Sequence, residues 1–286
     1  MPWTDITRKR YDRKHGRYSS DCTDDEWALI EAYMPPRKTN GRPRTTHLRD
    51  VWDAIQYMAT AGCQWAMIPN DFPPSSTVQR YFYEWRDSGL FHRINHALVM
   101  MVREFEGREA SPTAGVIDSQ SVKTTESGGV SGGACPRAGH RPDPGDAGKK
   151  IKGRKRHIIT DTIGFLIGFV IHAGDIQDRG GAPFVLDTIR YTHPWLRHIF
   201  ADGGYAGPKS KGRLTKIGCW TMEIVKRSDT AKGFEIIPRR WVVERTFAWL
   251  GRCRRLAKDW EKTILSAESW LLIAHIKLVT RRIARP

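Results

Sequence analysis

The chain has 286 residues, 40% of them hydrophobic, and a net charge of +16 at pH 7. This length suits one large domain or two smaller ones with a hydrophobic core, and the basic excess favours nucleic acid as a partner, although charge alone leaves a ribosome-associated or generic basic protein open. The five scattered cysteines lack zinc-site spacing, and no signal-peptide core or membrane-length apolar run occurs, so we expect a soluble, cytoplasmic protein with reduced thiols.

The amino-terminal 20 residues form a basic segment of little apolar content. We interpret residues 1–20 as a flexible arm that either contacts phosphate groups or remains solvated. A second basic stretch, Gly41-Arg42-Pro43-Arg44, is a turn in which Arg42 and Arg44 could enter a narrow minor groove of DNA. A plain linker is the alternative for this stretch.

Residues 21–108 are expected to be all-helical. Apolar residues at helical spacing predict four helices: one opened by the capping box of Thr23 and Glu26, one over Leu48–Ala61 that stops at Gly62, one over Ser76–Trp85 capped by Ser75 or Ser76, and one that carries Phe91 to Met101. Short helices with tight turns are typical of helix-turn-helix DNA-binding domains, in which Gln79 and Arg80 would contact DNA. The neighbouring aromatic residues Tyr81, Phe82 and Trp85 are interpreted as core.

A polar stretch over 104–113 marks a domain boundary, and the strand Ala114–Ser119 follows it. Residues 124–150, rich in Gly, Ser, Pro and Asp, are expected to form an exposed, flexible loop. A basic cluster ends this loop, and a hairpin follows with strands over His157–Asp161 and Phe165–Ile171. The cluster residues are our candidates for DNA phosphate contacts: Lys150, Lys152, Arg154, Lys155 and Arg156. A nuclear-localisation signal is the alternative.

The remaining chain alternates helices and strands. Its predicted elements are a helix over Ala182–Tyr191, a strand over His198–Ala201, a helix over Lys209–Ile217, a strand over Trp220–Val225, a long helix over Pro238–Leu256 and a final helix over Ala267–Arg282. This order predicts an α/β fold, a mixed sheet with helices on its faces.

Three acidic residues stand out against this pattern. Asp118 and Asp202 each end an apolar strand, and Glu244 lies at the edge of an apolar helix stripe. If the two strands are neighbours, the carboxylates repel one another, and bound divalent metal relieves that repulsion. The set suits two Mg²⁺ or Mn²⁺ ions in phosphoryl transfer. Taken singly, each aspartate could be a turn former or helix cap, and the glutamate a surface charge.

Other features refine this hypothesis. Arg240 and Arg245 flank the glutamate and could hold DNA phosphates or pair with it. Asp175 and Asp178 are interpreted as loop residues because no buried strand ends on them. The chain contains neither a Gly-x-x-x-x-Gly-Lys-Ser/Thr loop nor a Gly-x-Ser-x-Gly elbow, which argues against an NTPase and a serine hydrolase.

The stretches around the three acids, Val116 to Lys123, Ala201 to Tyr205 and Arg240 to Leu250, resemble the bacterial insertion-sequence DDE transposases of the insertion-sequence-five group. The amino-terminal stretches Gly41 to Arg44, Ala61 to Trp65 and Asp71 to Val78 are similar to the same group.

This resemblance implies an RNase H-like catalytic domain over 109–286 with Asp118, Asp202 and Glu244 as its metal-binding catalytic triad. It further implies binding of terminal inverted repeats, cleavage, joining of 3′-hydroxyl ends to target DNA, a dimer or higher oligomer, and association with the bacterial nucleoid.

The chain departs from the group in part. Relatives often place a tyrosine and a lysine around the arginine and glutamate, where this chain has Ile237 and Gly251. Two alternatives to an active transposase remain open. One is a non-catalytic DNA-binding protein, domesticated or repressor-like, and the other is a nuclease without joining activity.

Overall fold

A computed structural model describes residues 16–37, 39, 41, 43–125, 153–174, 176–206, 218–225 and 240–284. Several predictions therefore lie outside the described residues. They concern most of the basic arm, Arg42, nearly all of the 124–150 loop, Lys150, Lys152, Asp175, the helix over 209–217 and the helix start at Pro238.

The chain alternates between helices and strands after an all-helical first part. The helices are α1 (Asp24–Glu31), α2 (Leu48–Ala61), α3 (Ser75–Asp87), α4 (Leu90–Phe105), α5 (Asp178–Ile189), α6 (Arg240–Leu250) and α7 (Ile264–Ile283). The strands are β1 (Ala114–Lys123), β2 (Gly153–Asp161), β3 (Leu166–Ala173), β4 (His198–Ala201) and β5 (Thr221–Ile224). Short 3-10 turns span Trp65–Met67, Gly203–Tyr205 and Arg254–Leu256.

The amino-terminal helices form largely where local sequence signals place them. The capping box is present, because Thr23 accepts the backbone N–H of Glu26 and the Glu26 carboxylate accepts that of Thr23. Helix α2 has the predicted bounds, and Gly62 ends it with φ 70°, a conformation that favours glycine. The predicted serine cap of α3 is wrong, because Pro74 precedes a helix that already includes Ser75.

The five strands form one mixed sheet of order β3-β2-β1-β4-β5, which confirms the predicted α/β class. Strand β1 is antiparallel to β2 and parallel to β4. The two neighbours of β1 differ in extent, because β2 pairs as far as Lys123 whereas β4 stops at Val116. Asp118 therefore lies inside β1, beyond the last residue paired with β4, and not at the strand end that the sequence suggested.

Several helix bounds also differ from the prediction, and two of these differences change the surroundings of the predicted acids. Helix α6 ends at Leu250 and not at Leu256, because the chain turns at Gly251 to bury Cys253 and Leu256. Helix α5 begins at Asp178, four residues earlier than predicted, so Asp178 is the first residue of a helix and not a loop residue.

The helical part and the sheet share one hydrophobic core. Helix α7 is buried along most of its length, and its Trp270 stacks on Phe82 of α3 with ring centroids 4.6 Å apart. This contact confirms that Phe82 is core, and Tyr81 and Trp85 are buried with it. The division into a helical domain over 21–108 and a catalytic domain over 109–286 stays a prediction.

A buried ion pair also connects the two parts. Arg103 of α4 donates to the Asp161 carboxylate at the turn between β2 and β3, and neither side chain is more than 7% exposed. Asp161 additionally accepts the backbone N–H groups of Ile163 and Phe165. Across the described ranges, no helix is both long and apolar enough to cross a membrane.

Candidate active site

Asp118 lies where β1 extends past its parallel neighbour. Its Oδ1 accepts the backbone N–H of Ser119 at 2.7 Å. Burial raises the pKa of Asp118 to about 6, and the Ser119 bond opposes that rise. The charges of Asp202 and Glu244 raise the pKa further, whereas Arg240 lowers it. Asp118 is thus close enough to Asp202 and Glu244 for their charges to raise its pKa.

Asp202 follows β4 and shapes the turn after it. Its Oδ1 accepts the backbone N–H of Gly204 at 2.8 Å and caps the 3-10 turn Gly203–Tyr205. Asp202 therefore does act as a cap, which is the alternative role that the sequence left open for it. This role occupies one carboxylate oxygen, while Oδ2 lies 3.5 Å from the Arg240 guanidinium.

Glu244 reaches this place from α6, which packs against β1 and β2. Its Oε1 lies 3.5 Å from Nε of Arg240, one helical turn earlier, so one guanidinium bridges Asp202 and Glu244. The Glu244 side chain is 57% exposed and can still adjust. The structure thus brings the three predicted acids around Arg240, with carboxylate oxygens as the donor type that Mg²⁺ prefers.

The three acids lie near one another, but their carboxylates are not arranged to coordinate a metal ion. Among the residues that the structure describes, no three His, Cys, Asp or Glu side chains are placed to hold one metal ion together. Instead, the Arg240 guanidinium stands between Asp202 and Glu244. Binding of a cation by these two carboxylates therefore requires Arg240 to move.

Arg245, predicted to flank the site, is directed elsewhere. Its Nη2 donates to the carbonyl oxygen of Ile163 at 2.7 Å, in the turn between β2 and β3. Its guanidinium also lies 4.5 Å and 4.4 Å from the ring centres of Trp241 and Trp249. The predicted pairing with Glu244 or phosphate is corrected accordingly, because this side chain fastens α6 to the sheet.

The predicted phosphate contacts of the basic cluster are wrong for its three described members. Arg154, Lys155 and Arg156 are 4–5% exposed, because helices α5 and α6 and the segment over 256–262 cover the faces of β2. Their partners lie inside the protein: Asp259 for Arg154, Asp178 and the Ile176 carbonyl for Lys155, and the Leu256 carbonyl for Arg156. These cations hold covering segments on the sheet and are not available to DNA.

The candidate DNA contacts of the helical part are more accessible. Arg80 on α3 is 62% exposed and lies 3.6 Å from Glu84, and Gln79 donates to the hydroxyl of Tyr83. Arg44 is half-buried and donates to the carbonyl of Pro35. The contact of these residues with DNA stays a prediction.

Behind the acids lies a polar group that sequence reasoning missed. Ser119 donates to Asp178 at 2.7 Å, Lys155 contacts the same carboxylate, and Tyr205 is 1% exposed beside them. Burial, together with the charges of Asp118, Asp178 and Asp202, raises the pKa of Tyr205 well above its usual value, so the phenol keeps its proton. The sequence held one signal, because Lys155 and His157 are polar residues two positions apart at the start of the predicted hairpin.

Comparisons with known proteins identify the family of the chain. A family model described as a transposase DDE domain matches residues 109–277, and one described as a putative transposase of the IS4/5 family matches residues 22–95.

Two curated proteins are also similar to this chain. A putative transposase for insertion sequence element IS402 from Burkholderia cepacia is 30% identical over 134 residues, which cover 44% of this chain and 61% of that protein. The uncharacterized protein y4sN of Sinorhizobium fredii is 28% identical over 125 residues, 41% of this chain and 94% of that protein. No solved structure matches.

Proposed function

The chain belongs to the insertion-sequence transposases with a DDE domain, and we propose that it cleaves the ends of its element and joins their 3′-hydroxyl groups to target DNA. The observation that carries this proposal is the convergence of Asp118, Asp202 and Glu244 from three separate elements around one arginine. All three lie within the segment that the family model matches. Phosphoryl transfer at such a site needs only positioned carboxylates, metal ions and an aligned phosphate.

The donor set fits Mg²⁺ or Mn²⁺, because it consists of carboxylate oxygens alone. When bound by Asp118, Asp202 and Glu244, two such ions supply activation of the attacking water or 3′-hydroxyl and stabilisation of the leaving oxygen. The protein's own contribution is positional. The Ser119 amide orients Asp118, the Gly204 amide orients Asp202, and Arg240 balances the negative charge of Asp202 and Glu244.

The proposed partner is double-stranded DNA, at the element ends and at the target. The net charge of +16 supports a polyanionic partner. We assign recognition of the terminal inverted repeats to the helical part over 21–108, through Arg44, Gln79 and Arg80 and through Arg42, which lies outside the described residues. We assign phosphate contacts to Lys150 and Lys152, which also lie outside them. Joining two ends needs at least a homodimer, and a DNA substrate would place the protein at the bacterial nucleoid.

Replacing Asp118 tests this function directly. We expect Asp118→Asn to bind a duplex of the element's terminal repeat as the unchanged protein does, and to cleave none of it with Mg²⁺ or Mn²⁺. Asp187→Asn, which removes a 62% exposed carboxylate from α5, is the matched control and keeps cleavage. Undiminished cleavage by Asp118→Asn would refute the assignment.

The same assay separates the two alternatives. A non-catalytic DNA-binding protein would retain the terminal duplex in a binding assay and leave it intact at every metal concentration. A nuclease without joining activity would release cut ends and form no strand-transfer product. We expect both cleavage and joined product.

A further inference from the structure

Asp178 stands at the back of the proposed site, at the first position of α5. We propose that Asp178 is a positioning residue for the DNA-cleavage reaction, which acts on Asp118 through Ser119. This inference rests on the proposed function and adds a residue outside the three acids.

A short chain of contacts leads from Asp178 to Asp118. The hydroxyl of Ser119 donates to Oδ1 of Asp178 at 2.7 Å, and the amide of Ser119 donates to Oδ1 of Asp118 at 2.7 Å. Ser119 is therefore held by its side chain on Asp178 and holds the Asp118 carboxylate with its backbone. A shift of the Ser119 side chain moves the amide that orients Asp118.

The position of Asp118 in the sheet makes such support necessary. Strand β4 pairs with β1 only as far as Val116, so within the described part of the chain the segment with Asp118 and Ser119 has a strand neighbour on the β2 side alone. The register places Ser119 opposite His157, and Lys155 lies two residues before it on the same face of β2. Helix α5 packs on β2 and β3, and Asp178 at its start contacts this group of side chains.

The same carboxylate also borders the turn that holds Asp202. A Cβ added to Gly204 would lie 3.1 Å from Oδ1 of Asp202 and 3.2 Å from Oδ2 of Asp178. The two carboxylates thus approach the same point from two sides, and glycine at this position leaves the space between them open. Asp178 therefore touches the surroundings of two of the three acids.

The charge of Asp178 is kept by its neighbours. Burial would raise its pKa, but the Ser119 hydroxyl and the Lys155 ammonium outweigh burial and hold the pKa of Asp178 below its usual value. Lys155 is 5% exposed and donates to Asp178 at 3.2 Å and to the Ile176 carbonyl at 3.0 Å. A purely structural interpretation follows from this pair, in which Asp178 does no more than neutralise a buried lysine.

A charge-neutral double variant separates positioning from neutralisation. Asp178→Ala removes the carboxylate that accepts from Ser119 and Lys155, so it is expected to lower the melting temperature. Asp178→Ala with Lys155→Met removes both charges and is expected to recover part of the thermal stability. Lys155→Met alone keeps the Ser119 contact and is the control for the lost bond to the Ile176 carbonyl. Asp187→Asn, on the same helix, serves again as the matched control.

Two readouts are taken on these full-length variants. The first is single-turnover cleavage of terminal-repeat DNA with Mn²⁺, in which we expect the double variant to be about 30-fold slower at unchanged DNA affinity, since small misplacements cost up to about 100-fold. Ser119→Ala should be similarly slow, and adding it to Asp178→Ala should cost nothing further, because both remove the same contact. The second readout is amide hydrogen exchange over residues 117–121, expected to be about tenfold faster in the double variant.

The outcomes are distinct. Recovery of both cleavage and slow exchange in the double variant overturns the positioning role and leaves the structural interpretation. Cleavage that persists in Asp118→Asn refutes the proposed function instead, and the exchange measurement still decides whether Asp178 holds this segment. Normal exchange over 117–121 in the double variant overturns the inference whatever the protein cleaves.

Discussion

Arg240 offers the sharpest test of the site, because its side chain stands between two proposed metal ligands. We expect Arg240→Gln to bind Mn²⁺ more tightly than the unchanged protein in the absence of DNA. The guanidinium lies 3.5 Å from both Asp202 and Glu244, and a cation must displace it before these carboxylates turn to the metal. Glutamine keeps hydrogen-bonding capacity and removes the competing charge.

The size of the effect follows from the two contacts. Unit charges 3.5 Å apart attract by about 1.2 kcal/mol in water and by about 5 kcal/mol at an effective dielectric constant of 20. The side chains of Arg240, Asp202 and Glu244 are 33%, 22% and 57% exposed, so the value in water is the relevant one, reduced further by salt. The two pairs then contribute about 1–2 kcal/mol together, which corresponds to a gain in Mn²⁺ affinity of about 5- to 30-fold.

Calorimetric titration of Mn²⁺ into DNA-free protein measures this gain. Arg252→Gln is the matched control, because it removes an equal charge from an exposed position just after α6 and should change the affinity little. Cleavage is expected to fall in Arg240→Gln despite the tighter metal binding, since the variant lacks the cation beside Glu244 that the sequence offered as a candidate for holding a DNA phosphate. Unchanged or weaker Mn²⁺ binding in Arg240→Gln would refute the competition.

Three further predictions concern stability. Arg103→Met leaves the buried Asp161 carboxylate without the guanidinium that neutralises it, and should lower the free energy of unfolding by about 3–5 kcal/mol in urea titrations. A loss below about 1 kcal/mol would contradict the role of this pair. Burial lowers the pKa of His275 to about 3, so the unfolded chain takes up a proton below about pH 6.5 while the folded chain does not, and stability present above that pH is lost as the pH falls towards 3. The loss in the free energy of unfolding reaches about 2 kcal/mol at pH 5. Between pH 7 and 5, His275→Gln should lose less stability than the unchanged protein, and equal losses in the two proteins would count against His275 as the cause. Gly181→Ala puts a Cβ 2.2 Å from the His157 ring and should lower the free energy of unfolding by about 1–3 kcal/mol. Gly180→Ala, whose Cβ has no contact under 3.4 Å, should instead stabilise α5 by up to about 1 kcal/mol. A lower melting temperature for Gly180→Ala than for Gly181→Ala would be incompatible with this packing.

Local signals predicted the elements that depend on few residues. The capping box of α1, the bounds of α2 with its terminal Gly62, and the hairpin of β2 and β3 follow from chemistry within one or two turns of chain. Helix α6 was predicted too long, since its end at Leu250 depends on burying Cys253 and Leu256 in a core assembled from distant segments.

Charge patterns were the least reliable guide. Three basic residues on β2 were expected to face DNA, and the sheet encloses them because strands and helices from other parts of the chain cover β2. A run of lysines and arginines specifies charge but carries no information on which side chains will be covered. Arg245 was misjudged for the same reason, since its partner Ile163 is 82 residues away.

The sequence by itself determined three properties of this protein. These are its basic charge, its α/β order of elements, and the three acids in the stretches that mark a DDE transposase. These properties are local, and short motifs record them. Only the tertiary structure decided that Arg240 bridges two of the acids, that Asp178 contacts Ser119 beside the third, and that Arg154, Lys155 and Arg156 are buried. Each of these is a contact between segments far apart in the chain, and such contacts exist only when the sheet and its covering helices have assembled.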